Sequence, residues 1–143
     1  MQLYLYDFAA IDGWTIHADG LYGDAAIEDY WTDRQRTSFL VYVDGALAGF
    51  VLIRDGARFA GEGTREVSEF FVLRRHRRQG VGGEVARQVF DLFPGKWELT
   101  QITSNVAAQA FWRRIIAAYT GGRYQEQARP DGAGTMHRFD TRR

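Results

Sequence analysis

The residues best suited to chemistry lie between positions 68 and 83 of this chain. Glu69 stands in an apolar segment that ends at Leu73, and four arginines around His76 follow it. The run Arg77-Arg78-Gln79-Gly80-Val81-Gly82-Gly83 comes next, and its glycines let the backbone approach a ligand closely. Free N–H groups and the positive dipole end of a helix starting there predict an anion-binding site.

Two elements must position this turn. The apolar segment before it predicts a buried strand over about residues 65–73, with Ser68 on the opposite face from Glu69. Behind the turn, Val81, Val85, Val89 and Phe93 recur every four residues, which predicts an amphipathic helix. Neither a Gly-Lys-Ser/Thr run nor the glycine spacing of a dinucleotide fingerprint is present.

Residues 77–82 fit the pattern (Gln/Arg)-x-x-Gly-x-(Gly/Ala), which resembles the acetyl-CoA-binding motif of the GNAT superfamily of N-acyltransferases. A second segment, Asn-Val-Ala-Ala-Gln-Ala-Phe-Trp at 105–112, is similar to the family segment in which an asparagine caps a helix and hydrogen-bonds the pantetheine arm. Asn105 is also a good N-cap by propensity alone. The resemblance covers about residues 37–128.

This resemblance implies acetyl-CoA as the acyl donor and direct attack by a primary amine, on a small molecule or a peptide, in a ternary complex. It further implies that backbone N–H groups of residues 78–83 hold the pyrophosphate and that the edge of strand 65–73 pairs with pantetheine. The residues expected to contact the cofactor are Phe71, Val72, Leu73, Arg77, Arg78, Gln79, Gly80, Val81, Gly82, Gly83, Asn105 and Trp112.

Glu69 is the candidate general base, since burial in an apolar strand would raise the pKa of its carboxyl group into a useful range. The alternative is an outward-facing carboxylate paired with Arg65. Trp112 stands where the family commonly has a tyrosine that protonates the departing thiolate, and an indole cannot supply that proton. Either Tyr119 takes the role, or the thiolate leaves unassisted and Tyr119 belongs to the core.

Composition narrows the remaining possibilities. The chain of 143 residues is predicted to form a single domain over 1–143, and the absence of cysteine excludes disulfides and a cysteinyl acyl-enzyme. Three scattered histidines predict no metal site. Zero net charge argues against a nucleic-acid partner, and the lack of a long apolar run argues against a membrane partner. A cytoplasmic protein is expected, and a homodimer is compatible with the sequence.

The acceptor leaves more than one interpretation open. Residues 1–35 hold seven acids and one arginine among several aromatics, which would suit a cationic amine, although the aromatics fit a core equally well. Two other functions compete with catalysis. A catalytically silent acyl-CoA-binding module is favoured by Trp112, and an anion-binding interaction domain would use the arginine cluster.

The patterning predicts an α+β fold, a GNAT-like domain with a mixed, mostly antiparallel sheet of about six to seven strands flanked by helices on both faces. The expected strands are 2–8, 39–43, 47–53, 65–73, 97–102, 124–128 and 135–139. Helices are expected over about 24–35, from the glycine turn to residue 93, and from residue 105 to about 120, with a loop over 55–63.

Overall fold

The computed structural model describes residues 1–19 and 29–142, and residues 2 and 3 by their backbone only. Within these ranges the helices are α1 (Gln2–Asp12), α2 (Asp29–Thr32), α3 (Val81–Leu92) and α4 (Val106–Thr120). The strands are β1 (Arg36–Val43), β2 (Ala46–Ala57), β3 (Gly61–Val72), β4 (Lys96–Ile102), β5 (Tyr124–Ala128) and β6 (Gly134–Asp140).

The strands form one sheet in the order β1-β2-β3-β4-β6-β5. Among these described strands only the β3–β4 pair is parallel, and the other neighbours are antiparallel. Apolar side chains of α3 and α4 pack on one face, with Phe90, Trp97 and Ile116 in the core, while α1 covers part of the other face through Tyr4. The predicted α+β class, with a mostly antiparallel sheet between helices, is confirmed.

The feature that shapes the site is the separation of β3 from β4. Their pairing spans only Thr64–Glu66 against Lys96–Glu98. Beyond it, β3 contains a bulge, because Leu52 and Ile53 of β2 oppose Glu69 and Val67 and leave Ser68 as an extra residue. The two central strands therefore diverge from this point, and within the described ranges the edge of β3 facing β4 stays without a strand partner.

The first predicted strand, residues 2–8, is wrong: this segment lies within helix α1. Its apolar residues fit a helical period as well as an alternating one, since Leu5 and Ala9 are both buried and the rings of Tyr4 and Phe8 lie 5.8 Å apart. Gly13 ends the helix at φ 73°, and its N–H donates to the carbonyl of Ala9.

The predicted hairpin at Asp44-Gly45 is confirmed, with both residues at positive φ (49° and 77°) as a two-residue turn of this type requires. The predicted loop over 55–63 is shorter than expected, because β2 continues to Ala57 and β3 begins at Gly61. The pairing register of β2 and β3 shifts between Asp55 and Ala57, and the pairing continues to Ala57 and Gly61. Of the predicted helix over 24–35, α2 is found, and residues 20–28 lie outside the described part.

The elements after the glycine turn match the predicted ones to within a few residues. The helix, strand, helix and closing hairpin occur in the predicted order, and Trp97 of β4 is completely buried between the elements that flank it. In the described ranges, no helix is long and apolar enough to cross a membrane. Helix α3, strand β4 and helix α4 share one hydrophobic core, and this core supports one end of the gap between β3 and β4.

Candidate active site

The glycine turn presents a row of unused backbone donors. Arg78 and Gly80 take left-handed conformations, at φ 60° and 83°, and the first hydrogen bond of α3 runs from the N–H of Glu84 to the carbonyl of Gly80. In the described residues, no protein group accepts a hydrogen bond from the N–H groups of residues 78–83. Alternating backbone conformations with convergent N–H groups form an anion-binding concavity at the start of a helix.

The three glycines of the turn have different roles. A Cβ atom at Gly82 would lie 3.2 Å from the ring of Phe111, and one at Gly83 would lie 3.1 Å from Cδ1 of Ile115. These two glycines therefore let α3 approach α4 closely. A Cβ atom at Gly80 would meet nothing within 4 Å, so this position faces open space beside the free N–H groups.

The arginines around the turn divide into bound and free groups. Arg77 donates from Nε to the carbonyl of Val72 at 2.6 Å and forms an ion pair with Asp7 at 2.5 Å, and Arg74 reaches the same carboxylate at 2.9 Å. The Arg77 side chain therefore links the turn to β3 and α1, and its guanidinium group is not available to a ligand. Arg78 is exposed, and none of the described groups pairs with its guanidinium.

A cavity of about 750 Å³ fills the gap between the diverging strands. Val67 to Phe70 line it from β3, Leu99 to Ile102 from β4, and α1 contributes Tyr4, Leu5 and Phe8. It brings together three of the predicted site residues: Glu69, Asn105 and Trp112. Phe70 connects it to the glycine turn, since this ring also lies beside Gly82.

Asn105 presents an unused donor at this cavity, and Trp112 forms part of its wall. The Asn105 carboxamide oxygen accepts a hydrogen bond from the N–H of Ala108 at 3.1 Å, which confirms the predicted N-cap of α4. Its NH₂ group has no acceptor in the described part of the chain. Trp112 packs edge-on against Phe70, with ring centroids 4.9 Å apart, and forms a wall of the cavity.

Glu69 points inward, toward α1. The hydroxyl of Tyr4 donates a hydrogen bond to its carboxylate, whereas Arg65 is paired with Asp55 at 2.8 Å. Burial raises the pKa of the Glu69 carboxyl group, although the Tyr4 hydrogen bond and the Arg58 charge act to lower it. Burial and the Glu69 charge also raise the pKa of the Tyr4 hydroxyl group. Of the two interpretations of Glu69, the geometry matches the inward-facing one.

Tyr119 is not brought to the cavity. Its hydroxyl donates to Asp91 of α3 at 2.7 Å, and its ring packs against Phe90 with centroids 5.2 Å apart. This tyrosine joins the outer ends of α3 and α4 and does not line the gap between β3 and β4. Within the described residues, the pocket therefore lacks the tyrosine that the resemblance associates with thiolate protonation.

The cavity also contains polar residues that sequence reasoning missed. Both amide atoms of Gln101 and the hydroxyl oxygen of Ser68 are buried without a partner in the described structure, and the two residues lie on opposite strands of the gap. An unsatisfied buried polar group costs about 1–3 kcal/mol, so such groups usually mark a place that a ligand or water completes. Four of the seven residues of β4 are polar or charged, so no pattern in the sequence singled out Gln101.

The sequence matches the model of the acetyltransferase (GNAT) family over residues 5–116, which is most of the chain. The chain belongs to the GNAT acetyltransferase family. No match to it is found among curated proteins. The family assignment agrees with the diverging central strands and with the turn that exposes its N–H groups.

Solved structures share this GNAT fold at low sequence identity. An acetyltransferase from Thermus thermophilus is 14% identical, with 94% of this chain and 82% of that chain covered at a TM-score of 0.70. A Bacillus subtilis acetyltransferase solved with CoA is 13% identical, with coverage of 98% and 93% and a TM-score of 0.60. The PaiA N-acetyltransferase of Thermoplasma acidophilum, solved with coenzyme A, is 12% identical, with coverage of 80% and 66% and a TM-score of 0.58.

Proposed function

We propose that this protein transfers an acetyl group from acetyl-CoA to a primary amine, with Glu69 as the general base. The observation that carries this proposal is the position of Glu69: its inward-pointing carboxylate lines the same cavity as Asn105 and Trp112, at the gap where the central strands part. A CoA-type donor fits the residues around that gap.

The fit to the donor rests on three groups of atoms. The free N–H groups of residues 78–83 suit a pyrophosphate, and the exposed Arg78 adds positive charge. The unpaired edge of β3 offers backbone hydrogen bonds to an extended pantetheine arm, in the manner of an added strand. The NH₂ group of Asn105 is a donor for a pantetheine carbonyl. Phe71 and Val72 lie on this strand, and Leu73 follows it.

The reaction needs little beyond positioning and proton removal. Glu69 takes a proton from the acceptor ammonium, and the free amine attacks the thioester carbonyl carbon. A C–N bond forms, the C–S bond breaks, and the thiolate receives the second proton of the nitrogen through solvent, giving an amide and free CoA. A thiol has a reference pKa of about 8.5, so its thiolate leaves without a strong acid. This agrees with Trp112 in the wall and Tyr119 outside the cavity.

Thiol release measured against a panel of amines tests the proposal, with the full chain, acetyl-CoA and mass detection of the acetylated product. We expect one acetylated amine for each thiol released, and a loss of about 10²- to 10⁴-fold in turnover for Glu69→Gln. Binding of acetyl-CoA with no turnover on any amine would favour the silent module.

A further inference from the structure

The lining of the cavity has an unexpected charge pattern. Four arginines line it, namely Arg36, Arg54, Arg58 and Arg129. Three of them have carboxylate partners: Arg36 is paired with Asp29 and Asp33, Arg54 with Glu66, and Arg129 with Asp131. Arg58 is exposed, and in the part of the chain that the structure describes no group pairs with its guanidinium.

A second arginine, Arg54, is held in place next to Arg58 by the same carboxylate. Arg54 forms an ion pair with Glu66 through Nη2 at 2.5 Å, but its Nε is buried and has no acceptor among the described residues. The backbone N–H of Arg58 donates to the same Glu66 carboxylate at 2.8 Å, which places both arginines at this carboxylate. Glu66 is thus already bound by both residues, and the guanidinium group of Arg58 is left free at the cavity.

Three of the five described acids of the N-terminal segment are already paired with arginines. Every described member has a partner: Asp7 has Arg74 and Arg77, Asp12 has the indole N–H of Trp14, Asp29 and Asp33 have Arg36, and Asp19 is also engaged. Two described carboxylates of β3 and β4 line the cavity: Glu66 is paired with Arg54, and Glu69 has no cation paired to it. Arg58 is the cavity-lining arginine without a described carboxylate partner.

We infer that the acceptor is a small amino acid-like zwitterion, whose amine is placed at Glu69 and whose carboxylate is bound by Arg58. This inference rests on the proposed function and names the substrate class of the same site. A guanidinium presents forked donors that match a carboxylate. Arg58 and Glu69 line the same cavity, and the positive charge of Arg58 partly offsets the burial that raises the pKa of the Glu69 carboxyl group. The rings of Tyr4, Phe8 and Trp14 provide an apolar wall for the rest of the acceptor.

A matched set of amines tests this inference. Phenylalanine, phenylalaninamide and phenethylamine share one ring and one amine, but only phenylalanine has a carboxylate. The α-amine of phenylalaninamide is less basic than that of phenylalanine, as in a peptide N-terminus, so a larger fraction of it is neutral and reactive at neutral pH. Intrinsic reactivity therefore favours the amide, and a preference for phenylalanine must come from the carboxylate. We expect kcat/KM for phenylalanine to exceed that of the other two by about 10- to 100-fold, the value of a hydrogen bond to a charged group.

Variants at Arg58 assign this preference to the site. On the high-pH plateau, where Glu69 is ionised in every variant, Arg58→Gln should remove the preference for phenylalanine over phenethylamine, and Arg58→Lys should restore part of it. Arg114→Gln is the matched control, because Arg114 is exposed on α4, outside the cavity, and loses the same charge. The inference is overturned if the three amines react equally, or if Arg58→Gln lowers turnover of all three equally.

Binding separates failure of this inference from failure of the proposed function. Calorimetry on the CoA-loaded protein measures the affinity for each amine without turnover. Tighter binding of phenylalanine than of its amide, lost in Arg58→Gln, supports the carboxylate site even if no amine is acetylated. Equal affinities overturn the inference, even if another amine proves to be a good acceptor.

Discussion

The N–H groups at the start of α3 can be tested with a pair of isosteric substitutions at Gly80. A Cβ atom at this position meets nothing within 4 Å, so either side chain fits. The backbone has φ 83°, a conformation that asparagine and aspartate adopt more readily than other residues with a Cβ atom. Gly80→Asn and Gly80→Asp therefore share the same size, the same backbone strain and similar capping ability, and they differ in charge.

The magnitude follows from the charge. Two like charges about 5 Å apart at an effective dielectric constant of about 20 repel by roughly 3 kcal/mol, and salt screening reduces this value. We expect the Kd for CoA, measured by calorimetry, to be about 10- to 100-fold higher for Gly80→Asp than for Gly80→Asn. Thermal unfolding of the two variants should agree. Equal affinities in two folded variants would refute the assignment of residues 78–83 to the phosphate site.

Four further predictions concern the cavity. Glu69→Gln should lower turnover by about 10²- to 10⁴-fold with an unchanged Kd for CoA. In the wild-type protein, kcat/KM should fall as the pH drops through the raised pKa of Glu69, because the base becomes protonated. In Tyr4→Phe this fall should occur at higher pH, because the Tyr4 hydrogen bond lowers the pKa of Glu69. Gln101→Leu should raise the free energy of unfolding by about 1–3 kcal/mol, because it removes buried polar groups that lack partners in the described structure. Trp112→Phe should keep most of the turnover, since it preserves an aromatic wall against Phe70.

Each of these has a result that would contradict it. A loss of less than tenfold in Glu69→Gln would assign the base to another group or to water. A pH profile that Tyr4→Phe leaves in place would show that the Tyr4 hydrogen bond does not control the base. A destabilised Gln101→Leu would mean that Gln101 has partners in solution. Loss of turnover in Trp112→Phe with intact CoA binding would give the indole N–H a role in the reaction.

The sequence predicted well where local signals and packing agreed. The Asp44-Gly45 turn needs positive φ at both residues, and Asn105 has both a cap propensity and a helix behind it. The glycine turn between a strand and an amphipathic helix was equally clear. The sequence pattern did not show that Gly82 and Gly83 make room for the side chains of Phe111 and Ile115, because this role depends on the contact between α3 and α4.

The failures come from ambiguous periods and from contacts distant in sequence. Tyr4 and Leu5 lie in a segment that fits a strand and a helix, and the contact with the sheet favoured the helix. The same contact places Tyr4 beside Glu69, across 65 positions, which no local pattern reports. Ser68 lies at a bulge, so simple alternation does not fix its direction. Arg58 was not predicted as a site residue because it lies in the glycine-rich segment 55–63, which was predicted to be a loop.

CoA thiol release by the full chain with acetyl-CoA and amino acid acceptors, compared with Glu69→Gln, is the sharpest test of Glu69 as the base of an acetyl transfer. Exposed Glu62 lies near one end of β3, outside the cavity, and Glu62→Gln serves as the matched control. We expect one N-acetylated product per thiol for the wild type and the control, and a loss of about 10²- to 10⁴-fold for Glu69→Gln with CoA affinity retained. Thiol release without an acetylated amine, or equal turnover in all three proteins, would contradict this expectation.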